Sequence, residues 1–177
     1  MFVLTGPNPA FRLRLATMDD AENLRLWKNA HKTAFFYQKD ITPEQQAGWM
    51  SKHLSNKDDF MFMVESHHTD TWLPVGCMGY RLEDGTLDLY NILRGVPEDN
   101  ATFTMGEAFS LMLAYLGQTY RLPISCVVLR DNPVRGWYEK LGLVSTGEGE
   151  KDGIAFVRYA LPVPNIPALS VTKAPLA

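Results

Sequence analysis

Residues 123–143, PISCVVLRDNPVRGWYEKLGL, constrain the fold of this 177-residue chain more than any other stretch. Cys126, Val127, Val128 and Leu129 form an apolar, β-branched run suited to an interior strand. Asp131, Asn132 and Pro133 end it. Pro133 has a fixed φ and no amide hydrogen, so it suits the first turn of a new helix, with Asn132 as its N-cap. Val134, Trp137, Tyr138 and Leu141 recur at helical spacing, and Gly142 supplies the stop. Trp137 and Tyr138 are adjacent and so point in different directions. One packs, and the other looks along the strand end into a cleft. A strand-to-helix crevice is where an open α/β sheet places its ligands.

The rest of the chain supplies further elements around this unit. Residues 11–16 (FRLRLA) alternate as a half-exposed strand. Thr17 to Asp20 opens a helix striped by Leu24, Trp27 and Ala30, and Thr42-Pro43-Glu44-Gln45 opens another that runs to about Leu54. His53 on that second helix reads as exposed. Residues 60–65 and 72–82 are strands, Asp84-Gly85 is a hairpin turn, and residues 86–93 return. On the returning strand Leu87, Leu89 and Asn91 share one face, and Asp88, Tyr90 and Ile92 the other. Thr104 to Glu107 caps a strongly apolar helix. Residues 146–153 read as a turn and 154–161 as a last strand. The Pro-rich end, 162–177, reads as an extended or disordered tail. The expected architecture is a single α/β domain over residues 1–161. It has a mixed twisted sheet of six to seven strands and about four helices on both faces.

Composition narrows the functional classes. A net charge of −3 argues against nucleic acid or an anionic membrane as the main partner. No run approaches the roughly 18 apolar residues of a membrane helix, and the N-terminus lacks a basic leader. Cys77 and Cys126 lie in apolar strands and read as buried thiols, so the expected compartment is the cytoplasm. The four histidines lack ligand spacing, so no metal is expected.

Asn132, Tyr138 and the run Glu139-Lys140-Leu141-Gly142-Leu143 carry a family resemblance. They resemble the N…Y-E-K-L-G-F segment of the GNAT superfamily of acyl-CoA N-acyltransferases, and the element order is similar over roughly residues 12–160. The resemblance implies acetyl-CoA as co-substrate, with Asn132 near its pantetheine arm and Tyr138 protonating the departing thiolate. It implies that the returning strand splays from the strand near Cys126. The arm would lie between them, against the backbone of Ile92, Leu93 and Arg94, and a backbone amide near Ile92 or Leu93 would hold the oxyanion.

The family's pyrophosphate loop, Q/R-x-x-G-x-G/A, corresponds to residues 101–106, where only Gly106 is kept and Ala101 and Thr104 replace the usual residues. Phosphates there would rely on the amides of Met105 and Gly106, the hydroxyls of Thr102 and Thr104, and Arg94. Glu107 opposes them unless it folds back on its cap. For the acceptor, Trp27, Lys28, Phe36, Tyr37, Tyr90 and Asn91 are the candidates. Their surroundings are similar to those in GNAT members acting on amino-sugar nucleotides or protein N-terminal amines. Trp27 has the simpler alternative of packing the helices. Asp88, Tyr90, Asn91, Glu44 and His53 are candidate bases, and Asp88 is taken as the catalytic one. The expected activity is acetyl transfer to a small-molecule or peptide amine, with a homodimer left open. Its alternatives are an inactive GNAT-like binding domain or an enzyme for a longer acyl-CoA.

Overall fold

The computed structural model describes residues 1–97 and 102–176. In chain order the elements are β1 (Phe2–Thr5), β2 (Phe11–Leu15), α1 (Ala21–Ala30), α2 (Pro43–Ser55), β3 (Asp59–His68), β4 (Thr71–Glu83), β5 (Thr86–Arg94), α3 (Met105–Thr119), β6 (Ile124–Leu129), α4 (Arg135–Lys140), β7 (Val144–Lys151), β8 (Ile154–Leu161) and β9 (Thr172–Pro175). The described strands form one sheet in the order β7-β8-β6-β5-β4-β3-β2-β1-β9. Every neighbouring pair is antiparallel except β5 and β6. A parallel pair needs a crossover, and α3 provides it.

Strand alternation divides the core in two. Phe62, Val64, Leu87, Leu89, Cys126 and Val128 pack beneath α3 and α4 with Phe109, Met112 and Tyr138. Met61, Met63 and Cys77 face the other way, against Leu24 and Trp27 of α1 and Met50 of α2. The two sets interleave at single-residue spacing on β3, as a sheet covered on both faces requires.

A buried carboxylate fastens β2 to β3. Glu65 accepts from Arg12 Nε at 2.6 Å and from Arg14 Nε at 2.7 Å. Arg14 also grips Asp20 through both terminal nitrogens at 2.9 Å, and these hydrogen bonds keep its guanidinium firmly protonated. The alternating arginines of β2 are therefore largely enclosed in an ion network rather than displayed to water.

Several sequence expectations are corrected. The sheet has nine described strands rather than six or seven. The additional ones include strands from the ends of the chain: β1 pairs with β9, so of the two alternatives for the Pro-rich segment, residues 172–175 take the extended one, as an edge strand. Residues 146–153 are mostly strand, because the turn is confined to Asp152 (φ +54) and Gly153 (φ +78). Helix α4 starts at Arg135; Asn132 instead accepts the Val134 amide at 3.1 Å in a tight turn. His53 is buried, stacked on Trp49, with Nδ1 3.4 Å from Asp59. The Asp84-Gly85 turn and the Gly142 stop (φ +92) are as expected.

Candidate active site

Strands β5 and β6 are paired only from Leu87 to Leu89 and from Ile124 to Cys126. Both continue past that point, β5 to Arg94 and β6 to Leu129, without pairing to each other. The parting coincides with a bulge. Gly79 opposes Tyr90 and Cys77 opposes Leu93, so β5 carries one residue more than β4 across this step. Asn91 takes φ +49 there, a backbone conformation that asparagine tolerates better than most residues. The bulge turns β5 away from β6 and breaks the alternation of faces expected for Asn91 and Ile92.

The opening leaves a signature on β6. Val127 lies on a strand interior to the sheet, yet it is 41% exposed. Strand β6 stays paired to β8 throughout. Beyond Cys126 the β6 edge toward β5 is not paired with that strand, and its backbone groups there need another partner.

Tyr138 stands on the α3–α4 side of this gap. Its ring is wedged against Phe109, Trp137 and Tyr159, and the residue is 7% exposed. The hydroxyl has no protein hydrogen-bond partner among the described residues, and it is not sealed from solvent. Burial raises the phenol's pKa well above its ordinary value, with the neighbouring Cys126 adding to the effect. The same surroundings push the Cys126 thiol up to about 12, again chiefly by burial. Cys126 is the last β6 residue paired with β5, so the phenol lies where the strands separate.

The other face of the gap is covered by the connection between α1 and α2. Asn29 holds Ile41 through both its amide and its carbonyl, at 2.8 and 3.0 Å, closing this connection into a loop. Phe36 reaches across to Phe156 on β8, with ring centroids 5.7 Å apart. On one side of the loop lies a cavity of about 340 Å³ bordered by Lys28, Phe35, Tyr37, Gln46, Trp49 and Asn91, among others. On the other side a cavity of about 460 Å³ touches Asn132, Pro133 and Thr33. Lys28 donates to Asn91 Oδ1 at 3.1 Å, linking α1 to the bulge. Its pKa is lowered by burial. Gln46 is buried in the cavity wall and makes no side-chain hydrogen bond among the described residues.

The expected acceptor residues therefore divide. Lys28, Tyr37 and Asn91 border the first cavity; Trp27, Phe36 and Tyr90 do not. Trp27 lies flat against the Gly95 backbone, so close that a Cβ on Gly95 would fall 1.9 Å from its ring. It is a packing residue. Tyr90 donates its hydroxyl to Asp59, and Arg81 stacks 4.0 Å above its ring. Asp88 is paired in register with Ser125, before the strands part. It lies on the α1–α2 face, opposite Tyr138, with Arg81 at 3.9 Å. Burial raises the pKa of Asp88. The structure does not bring Asp88 and Tyr138 together on one face. Glu44 is exposed on the outside of α2.

At the start of α3 the capping box is complete. Thr104 accepts the Glu107 amide at 3.2 Å, and Glu107 accepts the Thr104 amide at 2.8 Å. Asn8 donates to the other Glu107 oxygen at 3.1 Å, and these bonds hold the carboxyl below its usual pKa, the Thr104 amide foremost. The amides of Met105 and Gly106 have no acceptor among the described residues. Trp137 Nε1, which sequence reasoning missed, sits beside them, 4.0 Å from where a Gly106 Cβ would be. Thr102 is tied through its carbonyl to Asn8, and Arg94 donates to the Val96 carbonyl at 2.8 Å. Ala101 lies outside the described residues. Replacing Glu107 with Gln keeps the cap but removes a negative charge from the helix N-terminus. Coenzyme A should then bind about two- to fivefold more tightly in a titration at low salt; unchanged affinity would place its phosphates elsewhere.

No family model and no curated protein sequence matches the chain. Solved structures do. FdhC, described as a nucleotide-linked sugar GNAT, matches with a TM-score of 0.70 at 18% identity, covering 89% of each chain. A spermidine N-acetyltransferase from Vibrio cholerae, solved with CoA and spermine, matches at TM-score 0.72 and 17% identity, over 87% of this chain and 96% of its own. A GNAT-family acetyltransferase from Bacillus anthracis matches at 0.70 and 17%, over 93% and 99%. The chain has the fold of the GNAT acetyltransferases. Among the described residues no helix is long and apolar enough to cross a membrane.

Proposed function

We propose that the protein transfers an acetyl group from acetyl-CoA to a primary amine, with amino-sugar nucleotides and protein N-terminal amines as the acceptor classes suggested by the sequence. The carrying observation is the gap between β5 and β6, with the unpartnered Tyr138 phenol on one face and the Lys28–Asn91 cavity on the other. A pantetheine arm supplies amides for the β5 edge near Ile92 and Leu93, which is not paired with β6, and runs on toward Arg94. Asn132 borders the second cavity, which suits the arm's other end.

The amine nitrogen attacks the thioester carbonyl, forming the C–N bond and a tetrahedral oxyanion. A backbone amide at the bulge, near Ile92 or Leu93, holds that oxyanion. The C–S bond then breaks, and the thiolate takes the Tyr138 proton. Proton transfer from a phenol to an ordinary thiolate runs uphill. Here burial raises the phenol, and an enclosed gap that disfavours phenolate disfavours a thiolate as well. The mismatch is thereby kept small. The substrate ammonium loses its proton to water or to a carboxylate. Asp88 is the sequence's candidate for that role, and it would have to act through solvent from the opposite face.

Thioester turnover is followed with a thiol-trapping dye. Cys77 and Cys126 are buried and both pushed up to about 12, so the native protein should itself give no signal at pH 8. Rapid labelling of two thiols would show that the strands carrying them open. Amine-dependent release of CoA supports the transferase reading. The Glu107 carboxylate at the α3 N-terminus favours a second reading, a domain that binds without turnover. Binding of acetyl-CoA without amine-dependent release would establish that reading, and absence of binding up to millimolar concentration would remove the transferase.

A further inference from the structure

Among the described residues lining the cavity beside the bulge, Lys28 is the one with a charged side-chain type, and it is a cation; Tyr37 and Cys77 are neutral. Leu24, Phe35, Ile41, Trp49 and Leu93 give it an apolar wall. Among the described residues no carboxylate stands within ion-pair distance of Lys28. Its polar partner is the neutral Asn91 oxygen, and the Phe35 ring lies 5.0 Å away. An ammonium has three donors, so two remain for a ligand. Gln46, buried and without a side-chain partner, opens onto the same space. A desolvated cation left without a counter-charge is costly, and an anion entering the cavity removes that cost.

We infer that this cavity binds an acceptor carrying an anionic group close to its reacting amine, held by Lys28 and Gln46, with an apolar body against Trp49 and Ile41. This rests on the transferase reading and narrows it. Polycationic acceptors are disfavoured, because a second ammonium would meet Lys28 with no carboxylate among the described residues of the wall to offset the repulsion.

The anion can be a carboxylate, as in a free α-amino acid with an apolar side chain, or a phosphate, as in an amino-sugar nucleotide. Direct binding separates these and does not depend on turnover. Isothermal titration uses L-phenylalanine, phenethylamine, a UDP-linked amino sugar and spermidine as probes. Phenylalanine and phenethylamine differ by the carboxylate alone. The inference predicts binding of at least one anionic probe, about tenfold or more tighter than phenethylamine or spermidine. Lys28→Met should abolish that preference, and Lys28→Arg should restore most of it. A phenylalanine preference assigns the carboxylate, and a nucleotide preference assigns the phosphate. Equal binding of phenylalanine and phenethylamine together with no nucleotide binding would overturn the inference. So would tighter binding of spermidine, no binding of any probe, or an anion preference that survives Lys28→Met. If anionic probes bind as predicted yet CoA is never released, the transferase reading fails and the anion site stands.

Discussion

Replacing Tyr138 with Phe should lower turnover about a hundredfold while leaving acetyl-CoA affinity within a factor of two. The ring carries the packing: Phe109, Trp137 and Tyr159 all contact it, and Phe retains those contacts. The hydroxyl has no protein partner among the described residues, so its removal should not lower the unfolding midpoint. A residue that served the core alone would show no loss of rate, and unchanged turnover removes Tyr138 from the chemistry. The pH profile adds a second check. A proton donor stops working as pH rises through its pKa. Burial raises this phenol, so the basic fall in rate attributable to Tyr138 should come above the ordinary phenol value of about 10, not below it.

Glu65→Ala should cost about 3–5 kcal/mol of stability, because it leaves the Arg12 guanidinium and the Nε edge of Arg14, whose terminal nitrogens keep Asp20, facing an uncharged gap. Glu65 is 4% exposed and cannot be replaced by water without opening the β2–β3 seam. Glu65→Gln retains an acceptor and should cost less. Urea unfolding of the two variants measures both. A loss below about 1 kcal/mol for Glu65→Ala would mean that the network behaves like an exposed ion pair. Because β3 and β2 are two and three strands removed from β5, surviving protein should keep its acetyl-CoA affinity.

The legible parts of the sequence were those fixed by short-range chemistry. Asp84-Gly85 could only be a tight hairpin, Thr42 and Thr104 form the capping boxes their spacing implies, and Gly142 ends α4 at positive φ. The position of Tyr138 beside the end of β6 was legible because a specific run of residues marks it. What was illegible depends on partners distant in the chain. Strand β9 exists because β1 lies 170 residues upstream to receive it, and neither segment has a telling period of its own. Strand β7 was hidden by its glycines; Gly149 is needed because the Phe156 ring would lie 2.5 Å from a Cβ there. His53 looked exposed because helical spacing does not reveal that Asp59 and Trp49 close over it. Gln46 and Trp137 carried no signal beyond ordinary helix composition, and only their unpartnered polar groups in the folded chain draw notice. Asp88 was chosen from its strand, but the register shows it on the far face from Tyr138.

Amide hydrogen exchange, resolved to single residues and run with and without acetyl-CoA, bears most directly on the gap between the two strands. If a thioester arm lies there, amides of Ile92 to Arg94 should gain protection on binding. Those of Leu87 to Leu89, already joined to β6, should stay as they are. Saturating acetyl-CoA that leaves the Ile92 to Arg94 amides unchanged would show that the parted strands are not where the acyl donor sits.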